Sequence, residues 1–350
     1  MIMVVTGIPL NGPLQGDRLR LQGIVVGAER VEETLVRVVG ALRPKRQPWS
    51  RSLAQVFIGQ SPYLTWHRHQ WTAGNIDQVP DILCAFQLRM APVALSLPAS
   101  YRILDLTDSM GLYRHSLAAA PETWRKRLWL RGIEKDEVQW GNQFDEVWVS
   151  SSRDQRWLAE RGLKTLVIEN TVLQRTLLEP GDPRHLLFVG NLEYLPNRVG
   201  LQQFLNTVWP QLERAGYRLT VLGKGSETLH VPGVHSYGYV PDLLAHYQNA
   251  GVVISPVPMG AGSQNKILEA MGWGRPIVAH RAAMAGLSVP QQDMVIPVTE
   301  PHEWLSALRM LETPEEYRER AKKGLEAVSL LGDPVATRLK VLCNSKANGR

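Results

Sequence analysis

Cysteine is almost missing from this 350-residue sequence, which holds only Cys84 and Cys343. Two thiols so far apart supply neither a disulfide framework nor a multi-cysteine zinc site, and their scarcity points to a reducing, cytosolic setting. Long apolar runs are missing as well: no stretch approaches the roughly 18 uninterrupted apolar residues of a membrane-crossing helix. The opening Met1-Ile-Met-Val-Val-Thr6 has no basic residue ahead of it and is broken by Gly7 and Pro9. It reads as a first β-strand and not as a signal peptide. Neither sign of charge dominates. Residues 1–180 carry 22 Lys and Arg against 18 Asp and Glu, and the remainder 17 against 15, for a net charge of +6, so neither half is a nucleic-acid-binding module and no nucleic-acid partner is expected. No repeat with a period of about 20 to 50 residues is present, which excludes solenoids and propellers.

What remains is the composition of a folded globular chain, 44% hydrophobic and 21% charged, long enough for two domains at about 150 residues each. Strand-length apolar runs alternate with helix-period segments. The first half offers strands at Met3–Thr6, Gln55–Ile58, Ile82–Phe86, Arg102–Leu106, Glu146–Ser150 and Thr165–Glu169, with helical patterns over Arg18–Leu42 and Pro121–Asn142. The second half offers His185–Val189, Arg218–Leu222, Val234–Tyr237, Gly251–Ser255, Pro276–Ala279 and Met294–Pro297. Alternation of this kind predicts parallel sheets, one per half, with a cleft between the two domains. The Pro- and Gly-punctuated segment at residues 179–184 reads as a linker. The predicted organisation is therefore a domain over 1–178, a second over 185–332, and a tail over 333–350 returning to the first domain.

In parallel sheets, ligands sit outside the carboxyl ends of the strands, where helix N-termini attract anions. The most informative such loop follows Gly251–Ser255. It runs Pro256-Val-Pro-Met-Gly260-Ala-Gly262-Ser-Gln-Asn-Lys266-Ile-Leu-Glu269. Glycines allow close backbone approach to a ligand. Lys266 falls in the first helical turn, and Glu269, three residues on, lies on the same face. A cation and a carboxylate so placed suit the diphosphate and the ribose hydroxyls of a nucleotide; a local surface ion pair accounts for the spacing equally well.

Pro256, Gly260, Gly262, Asn265, Lys266 and Leu268-Glu-Ala-Met271, followed by Gly274-Arg-Pro-Ile-Val-Ala279, resemble the donor-site signature of the retaining GT-B glycosyltransferases of family 4. Phe188-Val-Gly-Asn-Leu-Glu-Tyr-Leu-Pro-Asn197, Val221-Leu-Gly-Lys-Gly225 and Tyr237-Gly-Tyr-Val-Pro-Asp242 fill the next positions of that pattern. The combination is most similar to the exopolysaccharide-associated sugar transferases. The resemblance implies an α/β fold of two Rossmann-like parallel-sheet domains facing across a cleft. It implies a nucleotide diphosphate sugar as co-substrate, UDP-linked by family frequency, with no separate cofactor and no essential metal. The acceptor would be a glycan, a lipid-linked sugar or a small molecule. Lys266 would neutralise the diphosphate, and Glu269 would hold the ribose. Gly260, Ala261, Gly262, Ser263, Gln264 and Asn265 would line the donor sugar, and the main chain of Tyr239 and Val240 would bind the base. Gly190, Asn191, Asn197 and Arg198 would border the diphosphate. From the first domain, Gly12, Gly16 and Arg18 would close over phosphates and acceptor, and Asp108 would face the sugar, although Asp108 also reads as a helix cap or Asx turn.

Two positions depart from the family pattern. Ala261 stands where the first carboxylate of a Glu-seven-Glu pair belongs, and Asn191 and Asn197 replace an Arg and a Lys. On these grounds a non-catalytic binding or assembly protein, or a sugar-nucleotide epimerase of the same fold, stands as an alternative. Other constellations are weak. His67 and His69 have no third ligand at metal spacing, Asp105 and Asp108 do not form a D-x-D, and Ser150-Ser-Ser152 lacks the surrounding glycines of a nucleophile elbow and reads as a helix cap. Trp124-Arg-Lys-Arg-Leu-Trp-Leu-Arg131 mixes aromatic and basic residues. It reads either as a core-packing helix or as one lying on the anionic inner face of a membrane.

Overall fold

The computed structural model describes residues 1–10, 16–31, 37–40, 61–68, 78–119, 123–172, 175–258 and 264–348. It divides into two compact units. One comprises Met1–Thr171 with Ala261–Ser263 and Asp333–Arg350, and the other Val172–Gly260 with Gln264–Gly332. Each is built on a parallel six-stranded sheet, so the α/β, Rossmann-like expectation holds for both.

In the first unit the strands are β1 (Ile2–Thr6), β2 (Arg37–Gly40), β3 (Ile82–Phe86), β4 (Tyr101–Thr107), β5 (Glu146–Val149) and β6 (Leu166–Val167), in the order β2-β1-β3-β4-β5-β6. Two helical patterns are corrected. The pattern over Arg18–Leu42 ends as a helix at Glu29, and Arg37–Gly40 pairs in parallel with β1, Val38 opposite Val4 and Val39 opposite Val5. Consecutive β-branched residues favour the extended chain there. The pattern over Pro121–Asn142 is two helices, Trp124–Trp129 and Ile133–Gly141, separated at Gly132, whose φ of 85° no helix accommodates. The expected strand Gln55–Ile58 lies outside the described residues. One face of this sheet is covered by the helix Gly16–Glu29 through Leu21, Ile24 and Val25, and by the tail helix Pro334–Asn348 through Val335, Leu339 and Leu342. Gly27 permits that contact: a Cβ there would come within 2.8 Å of the Val335 Cβ.

The second unit holds β7 (Asp182–Val189), β8 (Arg218–Leu222), β9 (Val234–Ser236), β10 (Ala250–Ser255), β11 (Ile277–His280) and β12 (Val295–Val298), ordered β12-β11-β10-β7-β8-β9. Both faces are buried, as parallel sheets require. Leu186, Phe188, Val252 and Ile254 pack with Leu201, Phe204 and Trp304 on one side. Leu187, Val253 and Ile277 pack with Ile267, Met271 and Val328 on the other. The segment at 179–184 is not a free linker. The chain joins the second unit from Val172, Thr176 and Leu178 donate to the carbonyls of Gly272 and Trp273, Arg275 donates to the Glu179 carbonyl, and β7 already begins at Asp182. Its Pro and Gly content reflects close contacts, since a Cβ on Gly181 would meet the Ala250 carbonyl oxygen at 2.3 Å.

Candidate functional site

In an open parallel sheet the order of strands reverses at one point, and the loops leaving the two strands there splay apart to leave room for a ligand. In the second unit that point lies between β7 and β10. The loop after β7 carries Gly190 and Asn191 and leads into the helix Leu195–Thr207. The one after β10 leads through Gln264, the N-cap residue, into the helix Asn265–Gly272. Asn265 and Lys266 thus open a helix whose N-terminal N–H groups favour an anion.

Lys266 is buried, with 8% of its surface exposed. Its Nζ donates to Asn197 Oδ1 at 2.6 Å and lies 4.5 Å from the centre of the Phe188 ring. Asn197 in turn donates its Nδ2 to the Asn191 carbonyl at 3.0 Å. The helix after β7, tied through Asn197 to the strand-end loop, therefore holds the lysine in place without a formal negative charge on that side. Burial pulls the Lys266 ammonium down to about 7, opposed by the Glu269 carboxylate. Glu269, partly buried, is pushed up to about 7 by the same desolvation, with Lys266 pulling the other way. Beside it lies Tyr247, whose hydroxyl is buried and makes no hydrogen bond of regular geometry. Its influence on Glu269 is that of a close polar neighbour, while burial and the Glu269 charge raise the phenol itself. A buried cation with one neutral partner and a carboxylate lacking a full set of donors are in want of polar atoms. A ligand with anionic and hydroxyl groups supplies both.

Gly190 admits the Asn197 amide, which a Cβ there would meet at 3.0 Å, and Gly223, at φ 131°, passes so close that a Cβ would sit 2.1 Å from the Gly190 carbonyl oxygen. Arg198, one residue past Asn197, is exposed. Among the described residues its side chain makes no hydrogen bond or ion pair. After β9, Gly238 turns the chain at φ 66°, and no hydrogen bond of the Tyr239 or Val240 main chain occurs among the described residues. Gly260, Ala261, Gly262 and Ser263 lie outside the described residues, as does Gly12.

In the first unit the reversal lies between β1 and β3. Gly16 opens the helix after β1, with Arg18 partly buried in its first turn, and Asp17 accepts from Gln87 Nε2 at 2.6 Å. Gln87 and Thr107, at the ends of β3 and β4, hold φ of 71° and 65°, a strained region for residues with a Cβ. Thr107 aims the chain at Asp108, which is not the helix cap. Ser109 caps the helix Met110–Ser116 by accepting from Leu112 N, and Asp108 accepts from Ser150 Oγ at 2.8 Å. Burial and the Asp154 charge push the Asp108 carboxyl well up. Ser151 caps the next helix, as the serine run suggested.

The sequence reading missed two supports beneath these strand ends. Arg20 is enclosed and donates to Asp105 Oδ2 through Nε and Nη2, at 3.1 and 2.6 Å, and to the carbonyls of Ile168 and Glu169. Glu137, fully buried, accepts from Ser109 Oγ, Met110 N and Gly111 N. Desolvation pushes it up to about 8 despite those donors. It is tertiary packing that brings it to the N-terminus of the helix Met110–Ser116, a relation that spacing along the chain does not reveal. His67 is pulled down to about 4 by burial and by Arg89. No group of three His, Cys, Asp or Glu able to hold a metal occurs among the described residues.

No curated protein sequence matches the chain. Solved structures do. Sucrose-phosphate synthase from Thermosynechococcus elongatus superposes with a TM-score of 0.69 at 13% identity, over 100% of this chain and 99% of that one. Anabaena Alr3699/HepE in complex with UDP and glucose gives 0.62 at 15%, over 100% and 99%. TarM gives 0.56 at 12% over 71% of this chain, which spans about half of TarM's length (51%). The fold is that of GT-B glycosyltransferases, and residues 183–333, which hold Lys266, Glu269 and Asn197, match the family model described as Glycosyl transferases group 1.

Proposed function

We propose that the protein is a glycosyltransferase that binds a nucleotide diphosphate sugar, UDP-linked, in its second unit and transfers the sugar with retention to a glycan, lipid-linked or small-molecule acceptor. The observation that carries this reading is Lys266: a buried ammonium in the first turn of a helix at the strand-order reversal, held by Asn197 and followed one turn later by Glu269. That arrangement lies inside the glycosyl transferases group 1 match, and UDP is the nucleotide in the Anabaena Alr3699/HepE complex.

In this reading Lys266 and the helix N-terminus stabilise charge as it grows on the departing diphosphate, which is where a fixed cation accelerates transfer most. Glu269 accepts from the ribose hydroxyls, and the main chain of Tyr239 and Val240 accepts and donates to the base. The acceptor hydroxyl oxygen bonds to the anomeric carbon from the face on which the bond to the β-phosphate oxygen breaks. Its proton passes to that departing oxygen, so configuration is retained and no metal takes part. Asp108, held by Ser150 at the end of β4, faces the sugar in this reading, and Arg18 the phosphates and the acceptor. Titration calorimetry with UDP-, GDP- and ADP-linked sugars tests the donor assignment. Binding of a UDP-sugar that is lost in Lys266→Ala supports it, and binding of none of the three leaves a scaffold.

A further inference from the structure

In the first unit, the helix Trp124–Trp129 buries none of its six residues. Trp124, Leu128 and Trp129 are 56%, 55% and 39% exposed, and Trp66, at 46%, meets Trp129 edge-on with ring centres 6.4 Å apart. Buried residues flank the helix, Thr123 before it, where its hydroxyl donates to the Leu117 carbonyl, and Leu130 and Ile133 after it. Three large apolar side chains standing out from one six-residue helix are unusual on a surface that only water covers. Among the described residues, the exposed charges of this segment are positive. Arg125, Lys126, Arg127, Arg131 and Lys135 are exposed; the carboxylate in this stretch, Glu134, is engaged by Arg114 at 3.0 Å. Arg125 lies over the Trp124 ring and Lys126 over that of Tyr113. A core-packing role for Trp124, Leu128 and Trp129 is thereby excluded.

We infer that this helix is a docking surface for an anionic lipid bilayer, with the tryptophans and Leu128 entering the headgroup boundary and the Arg and Lys side chains meeting lipid phosphates. Tryptophan favours that boundary because its ring is apolar and its N–H polar. The uncompensated positive charge selects an anionic surface over a neutral one. No helix among the described residues is long and apolar enough to cross a membrane, so attachment is peripheral and reversible. The inference does not depend on the transferase reading, because it uses none of the residues assigned to donor or acceptor.

The test is sedimentation of the full chain with vesicles of phosphatidylcholine alone and of phosphatidylcholine mixed with phosphatidylglycerol. The wild type is expected to bind only the anionic vesicles and to be released by high salt. Each basic residue near such a surface multiplies affinity roughly fivefold, so the triple variant Arg125→Glu, Lys126→Glu, Arg127→Glu is expected to lose roughly 10²-fold or more. A second variant, Trp124→Ala with Leu128→Ala and Trp129→Ala, keeps the charge and is expected to lose roughly tenfold or more. Both alter exposed side chains, and unchanged melting verifies their folding. Negligible wild-type binding at low salt, equal binding to both vesicle types, or undiminished binding by either variant overturns the inference. So does a concentration-dependent dimer that the alanine variant abolishes, which assigns the patch to a second copy of the chain.

Discussion

Replacing Lys266 by methionine keeps the length of the side chain and its contact with Phe188 but removes the buried charge. Because the proton affinity of the folded lysine is depressed from 10.5 to about 7, the unfolded chain binds the extra proton between those values. Stability therefore rises with pH across that window, and the penalty is fully present below about 7. At about 1.4 kcal/mol per tenfold change in affinity, the depression amounts to ~5 kcal/mol as an upper bound. Two losses offset it in the variant: the hydrogen bond to Asn197, worth about 1 to 2 kcal/mol, and the cation that eases Glu269. The expected net effect is a gain of ~1 to 2 kcal/mol at neutral pH, with turnover lowered roughly 10²-fold or more. Urea unfolding of wild type and variant from pH 6 to pH 10, alongside turnover with UDP-sugar, measures both. The difference between the two stability curves should shrink as pH rises from about 7. Near-normal turnover, or a stability difference that does not change with pH, refutes the reasoning.

Three further outcomes follow from neighbouring geometry. If, as proposed, the donor is held by a charged Lys266 and an ionised Glu269, affinity measured by calorimetry should peak near pH 7, falling above it as the lysine loses its proton and below it as the carboxylate gains one. In Glu269→Gln the decline at low pH should disappear, and the decline at high pH should begin earlier because the carboxylate no longer supports the ammonium; an unmoved profile excludes the coupling. Arg20→Met strands the Asp105 carboxylate in the core and should destabilise the protein by about 3 to 5 kcal/mol in urea unfolding. Gly27→Val should push the tail helix off the helix Gly16–Glu29, costing about 1 to 3 kcal/mol; unchanged melting shows that helix to be dispensable.

Much of the fold was legible because buried strands of parallel sheets are short apolar runs with sharp ends. Ile82–Phe86 and Arg218–Leu222 appear with the bounds read from sequence. Reading failed where one periodicity ran on into another. Charged residues after Glu29 kept a helical spacing up to residues that form β2, where pairing with Val4 and Val5 makes Val38 and Val39 a strand. Gly132 falls inside the helical pattern read over Pro121–Asn142, but in the structure it takes a positive φ between the buried Leu130 and Ile133 and separates two helices. The polar stretch at 179–184 has linker composition for a different reason: glycine and proline there serve close contact and strand entry.

The site was legible to a different degree on its two sides. Lys266 and Glu269 are three residues apart on one helix, so their relation follows from helical spacing alone. What spacing cannot give is the third member. Asn197 lies sixty-nine positions before Lys266, and in the sequence it marks a missing cation. In the structure its carboxamide bridges the lysine and the Asn191 carbonyl, which changes the meaning of the substitution. A lysine or arginine at 197 would repel Lys266 and depress its charge further, whereas a neutral amide fixes the ammonium and leaves its remaining donors unassigned. Arg198, the next residue along the chain, is exposed, whereas Asn197 is buried against the lysine. On this arrangement, putting lysine at Asn197 should weaken UDP binding, because it replaces an acceptor of the Lys266 proton with a competing charge. Calorimetry of Asn197→Lys decides the matter, and affinity at or above the wild type would show that residue 197 meets the diphosphate directly.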